Sequence, residues 1–301
     1  MKGTSMNEKL HIEICYFSGT GNTEIVAKLM AEAFRRQGAD AGLRRMEDVL
    51  NGRVAMPADD RAMLGIGYPV HGFGAPRMVD DFVRRLPDAK GTRAFVFMTA
   101  SDEFCLNSAA SETIARCLRK KGYDVFHESM VPMPCNFALK YPDSLMKQLC
   151  IRAVEETAGL AKEIVTEKPR KFHEGWITLL MARWLNAFES YGTRYFGKDL
   201  KVSKACTLCG KCVRDCPTLN ITRDGDTIKF GWNCTMCFRC IYGCPVNAIM
   251  PVWEKCFIVK NGYDINKINN GPEINDGFIE NSTSWLYKRL KAYVLRGSRR
   301  V

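Results

Sequence analysis

The stretch IEICYFSGTGNT, Ile12–Thr23, decides how the fold is read. Its first half, Ile12 to Phe17, is a short apolar run of the kind that makes a buried strand, and its second half is a turn of glycines and hydroxyls. Apolar residues then recur at Ile25, Val26, Leu29, Met30 and Phe34, the spacing of one helix face, so Gly21 to Gln37 is expected to be a helix fed by that strand. The alternation repeats downstream. Ala62 to Gly67 precedes a helical pattern over Met78 to Leu86, Ala94 to Thr99 precedes Ser108 to Lys121, and Tyr123 to Met130 precedes Ser144 to Val165. Strands alternating with helices predict an α/β fold, a doubly wound parallel sheet covered on both faces. In such sheets a ligand sits beyond the C-terminal ends of the strands.

Three segments fall at those ends. Ser18, Gly19, Thr20, Gly21, Asn22 and Thr23 form a strand-to-helix turn whose amides and helix dipole favour a phosphate. The turn has no lysine and fits neither G-x-x-x-x-G-K-[ST] nor G-x-G-x-x-G. Hydroxyls and amides alone suit a single terminal phosphate held close to the backbone; the alternative is an ordinary capped helix start. The second segment, GYPVHGFGAP (Gly67–Pro76), sets Tyr68, His71 and Phe73, flat side chains able to lie against a planar ring, among Pro69, Val70 and Gly72. His71 reads equally as a ring contact or a turn residue. The third, TASDEF (Thr99–Phe104), offers backbone bonds from Thr99, Ala100 and Ser101 to a ring's polar edge, with Phe104 as a cover.

The last third carries different chemistry. CTLCGKCVRDCP (Cys206–Pro217) and CTMCFRCIYGCP (Cys234–Pro245) both fit C-x₂-C-x₂-C-x₃-C-P, 28 residues apart from Cys206 to Cys234. Three closely spaced thiolates reach three corners of one cubane, while the fourth, before proline, projects toward the neighbouring cluster. The expected sets are therefore crossed: Cys206, Cys209, Cys212 and Cys244 for one [4Fe-4S] cluster, Cys234, Cys237, Cys240 and Cys216 for the other. Zinc normally takes two C-x₂-C pairs and fits runs of four poorly. Ile221 and Ile249 each follow the last cysteine of their run by five positions, as expected of two halves sharing one small core, and RDGDTIKF (Arg223–Phe230) reads as a hairpin. The cysteines at 15, 105, 117, 135, 150 and 256 follow neither pattern and read as small buried hydrophobes or bystanders.

A chain of 301 residues with 46% hydrophobic content fits one large domain or two modest ones. Its 14 cysteines, without a basic, then apolar, then small-residue N-terminal pattern, point to a reducing cytoplasm that leaves thiolates free for metal. The most apolar stretch, Trp176 to Phe188, is too short to span a bilayer and carries Arg183 in its middle. Phe172 to Phe196 as a whole is aromatic and helix-like and reads as packing between two modules, with membrane-surface contact as the alternative. After a polar stretch from Asn261 to Gly277, Ser284 to Val301 is a basic amphipathic segment without an acidic residue. A solvated helix is the simplest account of it, followed by contact with anionic lipid, an acidic redox partner or nucleic acid.

The turn at Ser18 to Thr23, on this strand–helix frame, resembles the phosphate loop of the flavodoxin family, whose cofactor is FMN, over about the first 165 residues. That family's second loop has the form P-V-Y-G-G-R-x-P, where this chain has Pro69-Val70-His71-Gly72-Phe73-Gly74-Ala75-Pro76, with histidine at the tyrosine position. Lys201 to Trp253 resembles bacterial ferredoxins with two [4Fe-4S] clusters, a small α+β domain. The whole is similar to the flavodoxin–ferredoxin fusion proteins of anaerobic bacteria and archaea, in which PMPCNF (Pro132–Phe137) resembles an M-P-x-N-Y segment after the last strand. The resemblance implies an FMN domain over 1–168, a helical connector over 169–199, a two-[4Fe-4S] domain over 200–255, and a polar linker with a basic C-terminal helix over 256–301. The implied function is electron transfer between the clusters and FMN, and on to a redox partner protein or small-molecule acceptor. The alternative is an FMN-dependent reductase of a small organic substrate fed by its own clusters, although only His71 and Asp102 offer acid–base chemistry and no nicotinamide fingerprint is present. Roughly two negative charges for each oxidised cluster and two for the flavin phosphate cancel about half of the formal +11, so nucleic acid is not the expected partner.

Overall fold

The computed structural model describes residues 9–57, 59, 61–271, 278–284 and 287–298. Five strands, β1 (His11–Tyr16), β2 (Asp40–Arg45), β3 (Met63–Pro69), β4 (Arg93–Ala100) and β5 (Asp124–Pro132), form one parallel sheet in the order β2-β1-β3-β4-β5. Alternate side chains of the first strand feed opposite cores: Ile12, Ile14 and Tyr16 enter one, Cys15 and Phe17 the other. That is why Ile14 to Phe17 reads as continuously apolar, while Glu13 on the same strand pairs with Arg44 of β2. Helices α1 (Asn22–Arg36) and α6 (Asp143–Val165) cover the first face; α2 (Met46–Leu50), α3 (Arg77–Arg85) and α5 (Ser111–Lys120) cover the second, with the short α4 (Cys105–Ser108) before α5.

β2 is the strand the periodicity did not disclose. Its sequence DAGLRR is half-solvated at the sheet edge, and Arg44 and Arg45 are held there by Glu13 and Glu24 rather than by an apolar face. The chain runs outward from β1 to β2, then lays β3, β4 and β5 on the other side of β1. The loops after β1 and β3 therefore diverge and leave a crevice between them.

Helix α7 (Trp176–Asp199) joins this layer to a small second module. There β6 (Leu200–Val202) pairs antiparallel with β9 (Ile249–Pro251), and the expected hairpin is β7 (Ile221–Asp224) with β8 (Thr227–Phe230), flanked by the one-turn helices α8 (Lys211–Arg214) and α9 (Arg239–Tyr242). Phe196, Leu200, Phe238, Ile241 and Ile249 form its core. The sequence repeat is also a backbone repeat. Leu208, Gly210 and Leu219 have φ of 54°, 72° and 52°, and Met236, Phe238 and Asn247, at the same 28-residue offset, have 50°, 59° and 48°.

The expected aromatic packing holds at the two ends, where Phe172 packs on the first layer and Phe196 enters the core of the second module, and fails between them. There the inner face of α7 consists of small and polar residues, Ala182, Asn186 and Thr193, because it lies directly on backbone of the loop after β3; Trp176, Trp184, Phe188 and Tyr191 face solvent. Beyond residue 255 the chain returns to the first layer. Among α10 (Ile265–Asn270), α11 (Phe278–Asn281) and α12 (Lys288–Ser298), the side chains of Ile265, Leu290 and Tyr293 enter the same core as Phe34 and Leu145. Burial of Ile265 and of Leu290 stabilises by about 1.5–3 kcal/mol each. Lys147 on α6 donates to the carbonyls of Asn269 and Gly271 at 2.9 and 2.8 Å, and Arg289 and Arg296 face Asp102 and Glu103 at 3.7 and 2.7 Å. Residues 272–277 of the polar stretch, and 285–286 and 299–301 of the basic segment, lie outside the described residues. Among the described residues, no helix is long and apolar enough to cross a membrane.

Candidate functional site

The turn after β1 is fixed from several sides. Gly21 has φ 106°, a conformation that a side chain would strain, and it opens α1 with its amide donated to Ser18 Oγ at 3.1 Å. Thr23 Oγ1 lies 2.8 Å from Thr99 Oγ1, tying the first loop to the third. Asn136 Nδ2 donates to Thr20 Oγ1 at 2.7 Å, and Asn22 donates to the Pro134 carbonyl at 2.8 Å while its Oδ1 accepts from Tyr263 at 2.6 Å. The remaining first-turn amides of α1 have no intrahelical acceptor by geometry, which suits them to an anion.

After β3, residues 71–74 make a tight turn with reciprocal bonds between the His71 and Gly74 backbones, each 2.9 Å. Gly72 and Phe73 both have positive φ, 50° and 63°, the signature of a type I′ turn. Asn186 of α7 clamps it, donating to the His71 carbonyl at 2.8 Å and the Ala75 carbonyl at 3.3 Å. Burial lowers the His71 pKa to about 4, so its ring is neutral at pH 7.

A cavity of ≈ 330 Å³ gathers Ser18, Gly19, Thr20, Asn22 and Thr23 with Pro69, Val70, His71, Gly72, Phe73, Thr99, Ala100 and Ser101. Of the residues expected at the phosphate turn and the ring, Gly21 alone lines a neighbouring cavity instead. Tyr68 turns away: it is fully buried and donates to the Ala110 carbonyl at 3.1 Å. Phe104 braces Phe73 from behind, edge to face at 6.2 Å, under the Arg289 guanidinium. Asp102 is occupied by the Phe104 amide and Asn107, at 3.1 and 3.0 Å.

Sequence reading missed several walls of this cavity: Asn107, Cys135 and Asn136 from the first layer, Glu189 from α7, and Met236 and Phe238 from the second module. The Pro132–Phe137 segment signalled the second and third of these; Glu189, Met236 and Phe238 arrive only through tertiary packing. Burial raises the Glu189 carboxyl to a pKa of about 7.

In the second module each crossed quartet lines its own small cavity: Cys206, Cys209, Cys212 and Cys244 in one, Cys216, Cys234, Cys237 and Cys240 in the other. Backbone amides point at sulfur with the symmetry of the repeat. Leu208 and Met236 donate to Cys206 and Cys234 at 3.4 Å, and Asn220 and Ala248 donate to Cys216 and Cys244 at 3.2 Å. Burial pushes the Cys234 thiol up to about 12 and moves Cys237 and Cys240 in the same direction, so four thiolates coexist here only with compensating positive charge. Among the described residues, no three His, Cys, Asp or Glu side chains close around a single metal ion.

The two sites touch. A Cβ on Gly19 would lie 2.5 Å from the Cys237 carbonyl oxygen, so only glycine lets the phosphate turn approach the cysteine loop this closely. Arg239, between Cys237 and Cys240, donates to the Ser18 carbonyl at 2.5 Å and to Glu47 at 2.7 Å. A larger cavity of ≈ 540 Å³ lies on the outer side of the phosphate turn. Most of its cations are taken up by carboxylates, Arg45 by Glu24, Arg53 by Asp48, Lys211 by Asp215 and Arg239 by Glu47, and Arg214 donates to the Cys209 carbonyl, so the smaller cavity with its free amides and apolar walls is the better ligand site.

Residues 198–245 match the 4Fe-4S dicluster domain. Over 129 residues the chain is 30% identical to the flavodoxin of Maridesulfovibrio salexigens, an alignment covering 39% of this chain and 82% of that one. The chain belongs to the flavodoxin family, as a flavodoxin–ferredoxin fusion. Similar solved structures include the Streptococcus pneumonia TIGR4 flavodoxin (20% identity, TM-score 0.36, 52% of this chain and 98% of that one). Another is the two-electron reduced flavodoxin of Megasphaera elsdenii (25% identity, TM-score 0.34, 49% and 98%). In the fusion, the ferredoxin module forms part of the wall around the flavodoxin crevice. The amide-rich turn suits a phosphate, the apolar slot above it suits a planar ring, and the thiol quartets with inward amides suit iron–sulfur clusters.

Proposed function

We propose that the fusion is an electron-transfer protein that binds FMN in the 330 Å³ cavity and two [4Fe-4S] clusters in the crossed quartets, one by Cys206, Cys209, Cys212 and Cys244, the other by Cys234, Cys237, Cys240 and Cys216. The contact of Gly19 with Cys237 carries this reading, since it sets the cysteine loop of one module against the phosphate turn of the other. When bound, FMN takes electrons in pairs or singly and each cluster takes one at a time. The chain's own residues do the rest. Ser18, Thr20, Asn22 and Thr23 hold the phosphate, neutral His71 and Phe73 border the ring, and Met236 and Phe238 keep water from the space between flavin and cysteines. Covalent connection raises the local concentration of one module at the other, so exchange needs no encounter in solution. The quartet containing the exposed Cys209 shares no lining residue with the flavin cavity and is where a redox partner meets the chain.

The test is anaerobic purification with flavin, iron and sulfide quantified, followed by stepwise reduction watched by visible and paramagnetic spectroscopy. About eight irons and one flavin per chain are expected, with flavin bleaching after cluster reduction at a rate independent of protein concentration. Colourless or zinc-loaded protein, or reduced clusters beside an oxidised flavin, would overturn the reading. One observation favours a reductase instead: Glu189, with its raised pKa, places a proton donor in the flavin cavity that sequence reading did not find. Consumption of an organic acceptor in the same cuvette would select that alternative.

A further inference from the structure

Helix α7 has an unusual surface. Its 24 residues run roughly 36 Å at 1.5 Å per residue, and along the outer side Trp176, Trp184 and Phe188 are 75%, 67% and 69% exposed, with Ile177, Leu180 and Tyr191 between them. The strip continues onto the ferredoxin module. Tyr195 meets Trp232 edge to face at 5.5 Å, and Trp253, 87% exposed, is anchored at the helix end by its amide on Asp199. Of the chain's 5 tryptophans, Trp176, Trp184, Trp232 and Trp253 are all on or beside this strip, and Trp285 lies outside the described residues.

The exposed charges of α7 have one sign. Arg183, Arg194 and Lys198 are exposed at the strip's margin. Both acids of α7 are turned away: Glu189 is packed under Gly72, and Asp199 accepts the Trp253 and Glu254 amides. An exposed apolar ridge of this size on a soluble surface marks an interaction site. A second copy would set the same arginines against each other, and like charges across an interface cost affinity. An anionic lipid surface matches both features, since indole and phenol rings sit at the headgroup level and basic residues meet the lipid charge. The helix is not apolar enough to cross, so it would lie in the plane of the interface.

We propose that the outer face of α7, with Trp232 and Trp253, seats the protein on an anionic membrane surface. Asn186 and Glu189, on the opposite side of the same helix, contact the flavin loop and cavity, so the cavity stands about one helix diameter, ~10 Å, above the lipid. Docking requires neither cofactor, and its failure would leave the electron-transfer reading intact.

The test is flotation of the purified full chain with phosphatidylcholine vesicles, with and without phosphatidylglycerol, followed by tryptophan emission. Binding to the anionic vesicles with a blue shift is expected, weakened but not abolished by salt. The double variant Trp184→Glu/Phe188→Glu should lower partitioning at least tenfold with circular dichroism and flavin absorbance unchanged. If that variant does not fold, Arg183→Glu/Arg194→Glu should lower binding to anionic vesicles alone. Failure of the native chain to float, or equal flotation of native and folded variant, overturns the proposal. So does light scattering that shows twice the 34.0 kDa monomer mass in the native chain and the monomer in the variant.

Discussion

Phe238 occupies the position that Gly210 fills in the first half of the ferredoxin repeat, with the same left-handed backbone. Such a conformation costs a side-chain-bearing residue roughly 1–2 kcal/mol, and the fold accepts it because the ring packs against Phe196 and Phe137 and walls the flavin cavity. Phe238→Gly should therefore relieve strain and still destabilise by about 1–4 kcal/mol, since emptying a buried phenylalanine site costs about 3–5. It should also weaken FMN binding at least tenfold, as measured by flavin fluorescence titration beside urea unfolding. Glu189 makes a second residue-scale case. Its folded pKa of about 7 exceeds the ordinary 4.5, so the folded chain holds a proton that the unfolded chain has released, and stability falls as pH rises from 4.5 through 7. In flavin-free protein, Glu189→Gln should add roughly 2–3 kcal/mol at pH 8 and nothing below pH 4.5, read from thermal unfolding across pH.

Crossing of the cysteine quartets is a property of elements, since Cys216 follows α8 yet lines the cavity of the loop before α9. Cys216→Ser should thus damage the cluster associated with Cys234, Cys237 and Cys240 and leave the other intact, whereas Cys244→Ser should do the reverse. Paramagnetic spectra of the two variants, with iron counts, distinguish crossed from local ligation, because local ligation exchanges the two outcomes. At this scale the sequence is informative where chemistry is local. A cubane needs three thiolates within one short loop and a phosphate needs amides within one turn, so both left spacing in the chain. β2 left none because its stability comes from hydrogen bonds to β1 and from Glu13 and Glu24 on other elements. Glu189 and Met236 at the flavin cavity were illegible for the same reason, and α7 misled because its aromatic residues before Phe196 record a surface and its small residues record the packing. Arg239 belongs with the illegible group. It is buried against Glu47, whose Oε2 has no partner among the described residues, and Arg239→Met should cost about 3–5 kcal/mol by stranding that carboxylate, measurable by denaturant unfolding.

At the scale of the whole molecule the two modules share one ligand wall. Met236 and Phe238 stand between cysteines that would be mutually repulsive, or protonated and loosely held, without iron, and the same two side chains close the flavin cavity. Metal and flavin should therefore be thermodynamically coupled: clusters order the loop, the loop completes the cavity, and flavin in turn holds the loop closed. Removing iron with a chelator under anaerobic conditions should raise the FMN dissociation constant at least tenfold, within the 5–150-fold range usual for coupled sites. Reciprocity requires that saturating FMN slow or oppose cluster loss, and iron release followed with a chromogenic chelator in the presence and absence of FMN measures that arm. Coupling in one direction only is forbidden for equilibrium binding, so an unchanged FMN affinity in cluster-free protein that retains its sheet would mean the cysteine loop keeps its shape without metal. The wall would then be held by Arg239, by Phe137 against Phe257, and by Tyr242, which bonds to the Asn136 carbonyl at 3.0 Å.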